Sequence, residues 1–130
     1  MNVLALIIGG FLGTILRYAC GQWIPAVNSF PLPTLLINLL GCLFLGWFFT
    51  VANPRKMRQD VYLGIGTGFT GAFTTFSTFA AQTVDALHTG HLLIAGVYVV
   101  SNIAGGLAMI RLGIWLGHRT KGITQTEESV

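Results

Sequence analysis

Four apolar stretches, residues 3–24, 34–52, 61–87 and 92–116, take up most of this 130-residue chain, and the segments between them are short. Each stretch is close to or above the roughly 20 residues that carry a helix across the hydrocarbon of a bilayer. A spanning segment must satisfy its backbone polar groups internally, and long, continuously apolar runs do so as helices. Charged residues are only 8% of the sequence and the mean hydropathy is +0.72, whereas a soluble domain carries about 25% charge. The sequence therefore predicts an all-α, four-span membrane helix bundle over residues 1–117, with a short polar tail over 118–130 that should be frayed. Residues 1–10 lack a basic leader and a small-residue cleavage site, so they read as the start of the first span and not as a removable signal.

Polar punctuation places the connections: a turn over 25–31, a loop over 53–56 and a tight link over 88–91. Glycines recur four residues apart, Gly9 with Gly13, Gly64 with Gly68 and Gly113 with Gly117, a spacing that lets helix backbones approach closely in lipid. Cys20 and Cys42 fall within spans and read as small packing residues. If the spans alternate across the bilayer, Arg55, Lys56, Arg58, Arg119 and Lys121 share one face, while Arg17 lies near the other. The positive-inside rule then puts both termini in the cytoplasm, as expected of a multi-pass protein of the cell (plasma) membrane.

The third stretch differs from its neighbours. As an ideal helix it would be roughly 40 Å long at about 1.5 Å per residue, more than the roughly 30 Å of hydrocarbon. Its middle carries Gly71-Ala72-Phe73-Thr74-Thr75-Phe76-Ser77-Thr78-Phe79, with hydroxyls where Leu, Ile and Val would be ordinary. Bonding to a carbonyl one turn back accounts for isolated hydroxyls such as Thr14 or Thr50 but poorly for this cluster. A break between Gly71 and Thr78 absorbs the excess length and frees carbonyl oxygens able to hold a hard cation. Irregular backbone at membrane depth is tolerated only where protein covers it or where it lines a wet path.

The remaining interior groups are neutral: hydroxyls of Thr34, Thr70 and Ser101, amides of Asn38 and Asn102, and the phenol of Tyr98. Donors of this kind suit an anion, and the positive edges of Phe76 and Phe79 suit it too; the alternative for the two rings is ordinary packing on one helical side. Asn38 reads as glue between helices or as a ligand contact. Arg17 reads as a topology anchor, or as a side chain that snorkels to headgroups or pairs with carbonyls. No carboxylate lies in the central part of a span, since Asp60 and Asp85 are near span ends, and this disfavours a proton-coupled transporter. Asp85, His88 and His91 do not share a helical face and read as a solvated cluster, not a metal site. No nucleophile and base pair and no phosphate loop point to an enzyme, and no feature calls for a nucleic-acid partner. Four short helices enclose little interior, so an oligomer is expected.

The segments Gly9-Gly10-Phe11-Leu12-Gly13-Thr14-Ile15-Leu16-Arg17-Tyr18, Pro33-Thr34-Leu35-Leu36-Ile37-Asn38-Leu39-Leu40-Gly41 and Gly68-Phe69-Thr70 through Phe79 resemble the successive signatures of the Fluc (CrcB) fluoride channels. The resemblance covers residues 1 to about 117. It implies a fluoride-selective passive channel that lets the toxic anion leave the cytoplasm, built as an antiparallel, dual-topology dimer with two pores. It implies a structural sodium ion at the dimer centre, held by the backbone carbonyls of Gly71 and Thr74. The fluoride path it implies runs past Phe76, Phe79, Asn38 and Thr75 and along a polar track of Tyr98 and Asn102, with Arg17 and Thr34 in helix packing or a pore vestibule. The chain departs from the pattern at Gln82, where many relatives have glutamate, and at Gly106, where serine is common. The uneven basic residues favour a fixed orientation and a paralogous partner subunit, while the complete set of motifs in one chain allows a homodimer. Two rivals stand beside this reading: a small proton-coupled exporter of cationic compounds, whose first-span carboxylate is missing here, and a membrane assembly subunit that transports nothing.

Overall fold

The computed structural model describes residues 2–128, with side chains through residue 123. Its regular elements are helices: α1 (Asn2–Trp23), α2 (Leu32–Val51), a third column assembled from α3 (Gln59–Leu63), a π-helical segment (Gly64–Phe69), α4 (Thr70–Phe73) and α5 (Phe76–His88), and α6 (Leu92–Glu128). Asn2–Trp23, Leu32–Val51 and the Leu92–Ile123 part of α6 are long and apolar enough to cross a membrane. The third column is divided, so neither of its halves reaches that length alone. Its break falls at Thr74 and Thr75, both in extended backbone, inside the interval that the excess length indicates.

The connections follow their turn residues. Asn28 and Ser29 take positive φ of 46° and 65° in the turn after α1, closed by the Phe30 N–H donating to the Val27 carbonyl at 2.8 Å. At the end of α5, Gly90 has φ 81°. The His91 N–H reaches back to the Ala86 carbonyl at 2.8 Å and that of Gly90 to Leu87 at 3.2 Å, the paired closure that a left-handed glycine allows. The polar tail is drawn as part of α6, which continues to Glu128; adding a residue to an established helix costs little compared with nucleating one. The indole Nε1 of Trp47 also donates to Thr120 Oγ1 at 3.4 Å, tying α2 to this extension. Residues 129–130 of the expected tail, and the side chains of Glu127 and Glu128, lie outside the described residues.

Packing runs in two seams. α1 lies along α3, the π segment and α4, while α2 lies along α6, and α5 returns against α6. Glycine makes both seams. A Cβ on Gly9 would overlap the carbonyl of Gly64, and one on Gly13 the carbonyl of Phe69. On the other seam Gly113 faces the Leu43 carbonyl, Gly46 faces that of Ile110, and a Cβ on Gly117 would stand 2.6 Å from Thr50 Cβ. All three spaced pairs therefore sit at close helix crossings, since a Cβ on Gly64 or Gly68 would stand 2.9 Å from the Ala5 carbonyl oxygen or 2.8 Å from that of Leu6. Rings fill the space between α2 and the first half of the third column: Phe44 meets Phe69 edge-on at 6.0 Å, Phe69 stacks on Phe73 at 6.2 Å, and Tyr62 contacts Phe48 and Phe49 at 5.8 and 5.5 Å. The outer faces of α1 and α6 expose Ile7, Phe11, Leu93 and Val100, as side chains facing lipid do.

Candidate functional site

A helix that stops inside a membrane leaves backbone groups that water cannot satisfy. Asn38, at the middle of α2, satisfies them. Its Oδ1 accepts the Thr75 N–H at 2.8 Å, and its Nδ2 donates both to the Thr75 carbonyl at 3.1 Å and to Asn102 Oδ1 at 3.1 Å. The side-chain amide thus pairs with Thr75 as a neighbouring strand would, and joins α2, the break and α6 in one network. Asn102 completes it by donating to the Tyr98 carbonyl at 3.0 Å. Thr75 also caps α5, its Oγ1 accepting the Thr78 N–H at 3.1 Å. Thr75→Val should cost about 1 kcal/mol through the lost cap, while Thr75→Ser keeps it; thermal unfolding in detergent distinguishes the two.

This wiring has a second result. The N–H that would close on the Gly71 carbonyl in a continuous helix is that of Thr75, which goes to Asn38. The N–H that would close on the Thr74 carbonyl is that of Thr78, which goes to Thr75 Oγ1. The two carbonyls singled out for a cation are therefore among those that the break leaves without their helical donors. The chemistry of the pair, neutral hard oxygen, fits a hard cation such as sodium. The Thr74 hydroxyl is itself occupied, donating to the Thr70 carbonyl at 3.0 Å, and its methyl fills the notch left by Gly41. A Cβ on Gly71 would meet open space.

Around the break lies an open groove of about 520 Å³. Asn38, Gly71, Thr74, Thr75, Phe76, Phe79 and Asn102 all line it, and none of its lining residues is charged. Phe76 is 79% exposed and its ring lies 5.7 Å from that of Phe79. The ring row continues from Phe79 to Tyr98 at 5.3 Å and from Tyr98, edge-on, to Phe30 at 5.7 Å. Tyr98 is fully buried and does not line the groove; its hydroxyl donates to Gln82 Oε1 at 2.8 Å. Thr34, also buried, flanks that phenol from α2. Arg17 is half-buried near the end of α1, away from the groove lining, so the structure does not bring it to the other candidate residues. Thr14 and Thr50 bond one turn back, to Gly10 at 2.9 Å and Gly46 at 2.7 Å.

Thr67 and Cys42 line the groove without belonging to the motif pattern, beside Thr70, which does belong to it; Thr70 donates to the Ile65 carbonyl five residues back at 3.0 Å, the reach of the π segment. Cys42 Sγ lies 3.4 Å from where a Cβ on Gly106 would stand, so a thiol from α2 covers the bare backbone at that position. A second cavity, of about 380 Å³, opens beyond Tyr98 between the first turn of α2 and the end of α5, and Gln82 and Phe30 line it. Asp85 and His91 line it too, and His91 Nδ1 lies 3.0 Å from Thr89 Oγ1.

A family model described as CrcB-like protein, Camphor Resistance (CrcB), matches residues 4–114. The chain is similar to the fluoride-specific ion channel FluC 1 of Bacillus cereus, 49% identical over 113 residues that cover 85% of this chain and 78% of the relative. The fluoride-specific ion channel FluC of Oceanobacillus iheyensis is 38% identical over 116 residues, covering 88% and 90%. The fluoride-specific ion channel FluC 2 of Rhodococcus jostii is 40% identical over 119 residues, covering 92% and 97%. The matched residues run from the first turn of α1 into α6 and take in the break, the groove and both glycine seams as far as Gly113, and on that correspondence the chain belongs to the CrcB-like protein family.

Proposed function

We propose that this membrane protein is a fluoride-selective passive channel, without a carrier cycle or a chemical reaction. The observation that carries the reading is the uncharged groove at the break, where hydroxyls, amides and the Phe76 and Phe79 rings converge on one open face. A small halide enters such a groove by exchanging its water for neutral donors and positive ring edges, with no fixed charge of its own sign to repel it. Fluoride leaves the cytoplasm across the plasma membrane by this route, and its toxicity falls accordingly. Relatives across most of the chain bear the name of fluoride-specific ion channels, which supports fluoride as the ion.

The groove is open on one side and Phe76 stands on its rim, 79% exposed, which supports a second subunit as the missing wall. An antiparallel, dual-topology pair would bring two copies of the break together at a two-fold axis and give two paths. The carbonyls of Gly71 and Thr74 would then hold a structural sodium ion jointly with their counterparts, since two oxygens are too few for a hard cation. When bound, sodium supplies a fixed positive charge beside an anion path. Five basic residues on one face against Arg17 near the other favour a paralogous partner with the opposite bias; half of each terminus found outside the cell would point instead to a homodimer in both orientations.

Efflux from vesicles containing only this protein tests the reading. Fluoride should leave rapidly and chloride should not, and protein purified without sodium should conduct less. Vesicles that retain fluoride would favour an assembly subunit. Phe76→Ile should reduce fluoride flux about tenfold or more, the scale expected when an aromatic ring is removed from a desolvated path. It should leave thermal unfolding nearly unchanged, because an exposed ring contributes little to the fold.

A further inference from the structure

Tyr98 is the wall between the two cavities. Its ring touches Phe79 of the groove at 5.3 Å and Phe30 of the second cavity at 5.7 Å, and it is fully buried. The direction of its one donor is set by Gln82, one turn beyond Phe79 on α5, whose Oε1 receives the hydroxyl proton at 2.8 Å. Gln82 lines the second cavity and not the groove. The proton that an anion in the groove would need therefore points away from the groove. Two further groups flank the same phenol, Thr34 on α2 and Asn102 on α6, both placed to donate to its oxygen, and Asn102 lines the groove. The phenol oxygen thus stands beside a groove residue while its proton is held on the other side by Gln82, and rotation about the C–O bond would release that proton to an acceptor arriving from the groove.

We propose that Gln82 is a positioning residue that competes with the conducted anion for the Tyr98 hydroxyl, so that Tyr98 parts the groove from the second cavity until an anion wins that proton. The proposal rests on the channel reading above and adds to it the residue that sets how readily a small halide is taken up. Gln82 is suited to the part because its amide accepts through oxygen without bringing charge to the path. Competing for one hydrogen bond changes the fraction of tyrosine free to donate about five-fold, the ratio that corresponds to one net bond in a folded protein.

The test is fluoride efflux from vesicles at a series of fluoride concentrations, with the native protein, Gln82→Met, Tyr98→Phe and the double variant. Methionine keeps the length of the side chain and removes the acceptor; Gln82→Leu serves if the first variant does not assemble. The half-saturating fluoride concentration should fall about five-fold in Gln82→Met with the maximal rate unchanged. In the Tyr98→Phe background the same substitution should have no effect, whereas a merely structural role for Gln82 would persist there. An unchanged or higher half-saturating concentration in Gln82→Met, or an equal shift with and without the tyrosine hydroxyl, would overturn the proposal while native conduction leaves the channel reading intact. A native protein that does not conduct would overturn both.

Discussion

Asn38→Leu should abolish fluoride efflux and lower the stability of the detergent-solubilised protein by about 3 kcal/mol or more. The substitution removes three hydrogen bonds at once and leaves the Thr75 N–H, the Thr75 carbonyl and Asn102 Oδ1 without the partner they have now. Each buried polar group so orphaned costs about 1 to 3 kcal/mol, and two of the three belong to the break itself. The chain has no cheap way to repair the loss, since residues 74 and 75 can rejoin the helix only by shifting everything that α5 carries. Asn38→Asp is the informative companion. It keeps an acceptor for the Thr75 N–H but turns a carboxylate towards the Thr75 carbonyl and Asn102 Oδ1, and it places a negative charge in an anion groove, so it should conduct no better than the leucine variant. Efflux within a factor of two of native for either variant would mean that the break holds its shape without Asn38.

The second large effect is expected at Gly113. Gly113→Ala would drive a methyl group into the Leu43 carbonyl, with the Trp47 backbone nitrogen at 2.8 Å and the Gly46 carbonyl carbon at 3.2 Å. These are backbone atoms of a helix, which cannot rotate aside as a side chain would. No other pair of helices packs together as extensively as α2 and α6, and prising them apart should cost more than about 4 kcal/mol, the range reserved for severe core disruption. The readout is loss of the monodisperse peak in size-exclusion chromatography. Gly96→Ala is the control: a Cβ there meets nothing within 4 Å, and in an exposed helical position alanine should be neutral or stabilising by up to about 1 kcal/mol. Equal behaviour of the two variants would remove the basis for the close-approach account.

Much of this arrangement is legible from one dimension because the bilayer imposes so few options. Stretch length and apolar continuity give the helices, excess length and clustered hydroxyls give the break, and four-residue glycine spacing gives both seams. Asn38 carries two readings in the sequence, glue or ligand contact, and the structure gives it the first while leaving it on the groove. What could not be read depends on partners far apart in the chain. Gly46 against Ile110, the thiol of Cys42 over Gly106 and the bond from Tyr98 to Gln82 have no signature in spacing. The π segment at Gly64–Phe69 is likewise hidden: its wider turn comes from glycines pressed against α1 and a Thr70 hydroxyl reaching Ile65, a packing outcome and not a propensity. The contact of Trp47 with Thr120 is hidden in the same way, because the composition of the polar tail describes what that segment would do alone.

The uninterrupted run of α6 from Leu92 to Glu128 makes it a rod of about 55 Å at 1.5 Å per residue. No hinge separates its far end from Gly113 and Gly117, where it bears on α2. A push or pull at the distal turns, from a fused domain, a tether or a bound macromolecule, is therefore transmitted as leverage to the same crossing that positions Asn38, and reaches the halide's route without touching it.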